Sequence, residues 1–197
     1  MENIRILDGQ IVELVPLERS HFPELEILSK NKGIWEFYVL DGSDSKRFLG
    51  TLDSAMMEKE KGRQLPFVIF HKQHKKLIGG TRLFFDVAPM HKKIEIGWTW
   101  LHPDYWASAV NLDCKLLLLT FCFEKLGAIR VQLKTDENNI RSRKAIEKIG
   151  ARFEGVLRNE MLRDNGTKRN SAYYSIIDTE WQSVKKMLTV ALEQKQK

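Results

Sequence analysis

Few residues in this chain have the type and spacing for catalysis. His71, His74, His91 and His102 lack the spacing of a metal site. Cys114 and Cys122 both fall in an apolar helical stretch, so buried free thiols are expected; two cysteines alone cannot make the usual four-ligand zinc site. Glu95 shares one side of a strand with Gly97 and Thr99, where it suits either a proton acceptor or half of a structural ion pair. Asn139 stands where a helix N-cap is needed, with Ser142 in the first turn that follows. Arg141, Arg143 and Lys144 gather at the same helix start, which fits phosphate contacts or a solvated face equally well.

The elements that must hold these groups follow from periodicity. Gln10–Leu17 reads as a first strand, and Ser20 can cap a helix containing Phe22, Leu25 and Leu28, with Glu24 near its first turn. Asp53–Lys61 is helical in pattern, whereas Gly33–Gly50 carries Trp35, Phe37, Tyr38 and Phe48 without a period. Strands are expected at Pro66–Phe70, Leu77–Phe85 and Ile94–Leu101; in the last, alternation puts Ile94, Ile96, Trp98 and Trp100 on one face. Leu112, Leu116, Leu119, Phe123 and Leu126 recur at helical spacing, and Gly127 suits the stop. A strand over Ile129–Lys134 leads to a helix over Ile140–Ile149 ended by Gly150. A hairpin, Phe153–Leu162 and Thr167–Ile177, then turns at Asp164-Asn165-Gly166, and a terminal helix follows. The order is mixed α/β, and alternation alone does not choose among such folds.

Composition bounds the rest. The 197 residues suit one domain with a substantial core, and the net charge of +6 favours anionic partners such as a phosphorylated cofactor, nucleic acid or ribosomal particles. No apolar run reaches the ~18 residues of a membrane span. The N-terminal MENIRILDGQ lacks a signal-peptide pattern, so a cytoplasmic location is expected, with no membrane partner.

The strings EIGWTWLHPDYW, FCFEKLGAIRVQLKTDENNIRSRKAIEKIGARFEGVLRNEM and DNGTKRNSAYYSII, in this order and spacing, resemble the GNAT superfamily of N-acyltransferases, most nearly its RimJ/RimL-type branch. The resemblance covers roughly residues 10–182. It implies one GNAT domain: a mixed, largely antiparallel central sheet flanked by helices. It also implies transfer of an acetyl group from acetyl-CoA to a primary amine, on a protein N-terminus or a small molecule. By the same resemblance, the pantetheine arm pairs with backbone around Trp100 and Leu101, and the loop Trp106, Ala107, Ser108, Ala109, Val110 and Asn111 cradles the pyrophosphate. Asn139 helps hold the arm, and Ser142 is the proton donor to sulfur. With that cofactor bound, the residues' own positions make Arg143 a phosphate contact and Glu95 a base for the amine, directly or through water.

Three departures from that pattern matter. The family's glycines appear as Ala107 and Ala109, which keep their N–H donors but resist positive φ by roughly 1 kcal/mol or more. Ile146 replaces a tyrosine that many members use as proton donor, and Asn170 replaces an aspartate. A non-catalytic acyl-CoA-binding or regulatory protein of the same fold is the rival expectation. A nucleic-acid-binding module ranks last, because the Lys and Arg residues do not cluster with stacking aromatics. The acceptor, the acyl chain length and a homo-oligomeric state are left open.

Overall fold

The period-2 runs pair into one eight-stranded sheet, and the helical runs cover its two faces. The computed structural model describes residues 6–86 and 88–195; the first five residues of the stretch read above for a leader lie outside them. The strands are β1 (Leu7–Asp8), β2 (Val12–Pro16), β3 (Gln64–His71), β4 (Lys76–Phe85), β5 (Lys93–Leu101), β6 (Arg130–Asp136), β7 (Arg152–Leu162) and β8 (Lys168–Ile177). Their order in the sheet is β1-β2-β3-β4-β5-β6-β8-β7. Every neighbouring pair is antiparallel except β5 and β6.

The helices are α1 (Phe22–Ser29), α2 (Ser45–Glu60), α3 (Val110–Thr120), α4 (Ile140–Lys148) and α5 (Asp178–Gln194). Alternation along the strands supplies two apolar faces. Ile69, Leu83, Ile94, Val131 and Ile176 pack with Leu118 and Leu119 of α3 and Leu188 of α5. On the other face Val68 and Leu77 meet Leu25 of α1 and Phe48, Leu52 and Ala55 of α2. Among the described residues no helix is long and apolar enough to cross a membrane.

Three sequence expectations change. Ser20 caps nothing; it lies in a short 3-10 turn, and α1 starts after His21 with no side-chain cap. Glu24 instead accepts the Leu77 N–H at 3.0 Å, fastening α1 to β4. Helix α2 begins eight residues before Asp53, at Ser45, with Asp44 accepting the Arg47 N–H at 2.9 Å.

The third change shapes the site. β5 holds two residues, Trp98 and Thr99, opposite the single Thr81 of β4, and Trp98 takes φ +49. This bulge reverses the alternation. Ile94 and Ile96 face α3, but Trp100 joins the α1/α2 cluster and Leu101 turns to the α3 side. Two residues along β4 from Thr81, a Cβ on Gly79 would lie 2.0 Å from the Trp100 carbonyl oxygen, so only glycine permits this approach. The cysteines behave as expected: both are free and buried, and burial raises the Cys114 thiol to about 11 and pushes Cys122 up as well.

Candidate active site

The parallel pairing of β5 and β6 lasts for three residues, Lys93, Ile94 and Glu95 opposite Arg130, Val131 and Gln132. Beyond it the strands diverge, and a cleft of about 640 Å³ opens between Ile96–Leu101 and Leu133–Thr135. The start of α3 stands at one wall and the start of α4 at another.

At the mouth, Ala107 occupies the left-handed region at φ +57, the conformation for which glycine is the usual choice. Ala109 does not; its φ of −75 and ψ of −12 are ordinary helical values at the N-cap. Ser108 Oγ donates to the Tyr105 carbonyl at 2.7 Å and accepts the Val110 N–H at 3.2 Å. The N–H groups of Ala107, Ser108 and Ala109 have no partner among the described residues. Three consecutive free amides precede the positive end of an 11-residue helix, a combination that suits an anion. The two alanines therefore leave the donors in place, and the residues present fit a pyrophosphate.

The other expected cofactor residues divide. Trp100, Leu101, Trp106 and Asn111 line the cleft, whereas the Val110 side chain is buried in the core. Trp106 Nε1 donates to the Leu101 carbonyl at 2.9 Å, so that carbonyl is already engaged. Asn139 acts as the N-cap, its Oδ1 accepting the Ser142 N–H at 2.9 Å. Ser142 lines the cleft one turn on. Arg143 is not among the residues lining the cleft; its guanidinium donates to Tyr174 Oη at 2.8 Å and to the Glu137 carbonyl. Arg141, two residues earlier on the same helix, lines the cleft instead, with its guanidinium 3.5 Å from the Trp106 ring centroid.

Glu95 sits between the cleft and β6. It lines the cleft, accepts from Gln132 Nε2 at 2.7 Å, and lies 3.7 Å from Lys134 Nζ. Lys134 also meets Glu160 at 3.1 Å. Burial works against its charge, but Glu95 and Glu160 overcome this and hold its pKa above the ordinary value. Tyr173 donates to Glu160, and Tyr174 is wholly buried, so neither faces the cleft. His71 and His74 stack on one another at 4.1 Å, and His74 meets Tyr105; among the described residues no cluster suits a metal.

Two cleft residues escape the sequence patterns. Lys115, in the apolar run of α3, is 5% exposed and donates to Thr99 Oγ1 at 2.6 Å. No carboxylate lies within ion-pair distance among the described residues, and burial lowers its pKa. Its only signal is being the single cation inside Leu112–Leu119. Tyr38, in the stretch without a period, reaches across to donate to the Thr99 carbonyl at 2.7 Å, and burial pushes its phenol well above the ordinary value.

This arrangement matches known proteins. A family model described as an acetyltransferase (GNAT) domain matches residues 12–152. The chain belongs to the GNAT acetyltransferase family. It is 26% identical to the uncharacterized N-acetyltransferase YoaA of Bacillus subtilis over 148 residues, which is 75% of this chain and 82% of YoaA. The structure of a GCN5-related N-acetyltransferase from Brucella melitensis superposes with a TM-score of 0.86 at 27% identity, covering 98% of this chain and 87% of that one. Mycobacterium smegmatis RimJ, solved in complex with CoA-disulfide, shares the fold with a TM-score of 0.77 at 21% identity, over 95% of this chain and 91% of RimJ. The GNAT domain implies acetyl-CoA as the acetyl source of this acetyltransferase.

Proposed function

We propose that this acetyltransferase moves the acetyl group of acetyl-CoA onto a primary amine by direct attack in a ternary complex. The amine nitrogen bonds to the thioester carbonyl carbon, the C–S bond breaks, the amine gives up a proton and the sulfur takes one. Glu95 accepts the amine proton, directly or through water, and Ser142 donates to sulfur; both line the one cleft. Trp100, Asn139 and the free amides of Ala107, Ser108 and Ala109 would hold the co-substrate at the mouth. The observation that carries this reading is that Ala107 and Ser108, with unpartnered N–H groups, line the cleft at the β5/β6 gap together with Ser142 and Glu95. Holding both substrates there removes most of the entropic barrier to a bimolecular reaction.

The test is thiol release from acetyl-CoA across a panel of amines and peptides, with mass detection of the acetylated product. Ser142→Ala is expected to lower kcat by about 10²-fold with the KM for acetyl-CoA little changed, and Glu95→Gln to lower the rate by a similar factor. Full activity in both variants would remove these two assignments.

A further inference from the structure

On the acceptor side of the cleft lie two buried guanidiniums with no carboxylate of their own. Arg169 of β8 lines the cleft, is 9% exposed, and its Nε has no hydrogen-bond partner. The nearby carboxylates are taken: Asp136 pairs with Arg163, and Glu160 binds Lys134, Tyr173 and Ser171. Arg82 of β4 is 8% exposed, donates to the Thr51 carbonyl at 3.1 Å, and lies 4.6 Å from the Trp98 ring centroid. It lines a recess of about 500 Å³ that shares Phe84 and Trp98 with the cleft. Among the described residues neither arginine has a carboxylate within ion-pair distance. Leaving a buried cation unpaired is costly, so a site that keeps two is built for an anion that arrives with its ligand.

Both guanidiniums act on the phenol of Tyr38, which is bonded to Thr99 at the β5 bulge. Above them, the tip of the β7–β8 hairpin is tied to the loop before α2. The Asp164 N–H donates to the Val39 carbonyl at 2.9 Å, and the Asp164 carboxylate accepts the Asp41 N–H and pairs with Arg47. These bonds join the hairpin tip to the loop before α2, and Asp164, held by Arg47, lines the recess together with Arg82.

We propose that the acceptor is an amine that carries a carboxylate, with the carboxylate held by Arg169, Arg82 reinforcing it from behind Trp98, and the amine directed toward Glu95. The proposal rests on the amine-acceptor reading above. A charge-assisted bond inside a cleft is far stronger than one in water, and it fixes which end of the acceptor faces the thioester.

The test compares α-, β- and γ-amino acids with their carboxamides and with the matching amines lacking the carboxyl group, by thiol release and product mass. The amino acid of the best series is expected to exceed its carboxamide in kcat/KM by about 10- to 100-fold. Arg169→Met should collapse that ratio to within about threefold, chiefly through KM, while Arg169→Lys retains part of it. The wild-type comparison decides the matter even if the methionine variant fails to fold. Equal turnover of acids and amides, or faster turnover of peptides with uncharged first residues, would overturn the carboxylate subsite and leave the amine reading intact. Turnover of no amine at all would overturn both.

Discussion

Ala107 and Ala109 replace the same kind of residue yet sit in different backbone wells, so returning each to glycine should have opposite effects. Ala107 holds φ +57, where an L side chain costs ~1–2 kcal/mol. Glycine there removes that cost but adds unfolded-chain entropy worth about 0.4–1 kcal/mol. The net expectation for Ala107→Gly is a stabilisation of about 0.5 kcal/mol, or 1–2 °C in Tm for a chain of this size. Ala109 holds φ −75 and ψ −12, which alanine adopts freely, so Ala109→Gly keeps only the entropic loss and should destabilise by about 0.5–1 kcal/mol. Urea or thermal unfolding without cofactor, measured on both single variants, reads the difference directly. Acetyl-CoA affinity by calorimetry should stay within about threefold for Ala107→Gly, because the loop already has its left-handed turn and free amides. Destabilisation by Ala107→Gly, or equal stabilisation by Ala109→Gly, would refute the reasoning.

Lys115→Met replaces a buried ammonium with an apolar chain of similar length, so the free protein should gain about 1 kcal/mol or more in urea unfolding. If the ammonium serves the bound co-substrate, the same variant should weaken acetyl-CoA binding about tenfold; higher stability with unchanged affinity would remove that role. Glu154 pairs with Arg130 and accepts from Ser175, which together lower its pKa from 4.5 to about 2. Its folded pKa lies below its unfolded value, so its contribution is present above pH 4.5 and is lost as pH falls toward 2. Glu154→Gln should therefore flatten the acid limb of Tm against pH, and an unchanged limb would show the pair to be fully screened.

Much of this site was legible because its parts sit on strongly periodic elements. The β5 and β6 runs, the Gly127 stop that α3 reaches through a π-helical turn over Phe121–Lys125, the Gly150 stop and the Asn139 cap are local signals, and each appears where its pattern puts it. The bulge at Trp98 was not legible: alternation assumes one residue per pleat, and nothing in a tryptophan announces a positive φ. Its effect was to send Trp100 to the opposite face from Ile94 and Ile96. The start of α2 was hidden because Trp35, Tyr38 and Phe48 pack as an irregular cluster instead of a helical stripe. Arg141 and Arg143 lie about 200° apart around one helix, a phase that clustering in sequence does not set. Lys115 and Arg82 become informative only through burial without a carboxylate partner, which is a property of the packed structure.

The most direct test of the cofactor geometry is a crystal structure of the protein with CoA bound. The expected result is the pyrophosphate within hydrogen-bond distance of the Ala107, Ser108 and Ala109 N–H groups, the pantetheine arm in the gap between β5 and β6, and the sulfur beside Ser142. A pyrophosphate bound elsewhere, with those three amides unengaged, would contradict the account.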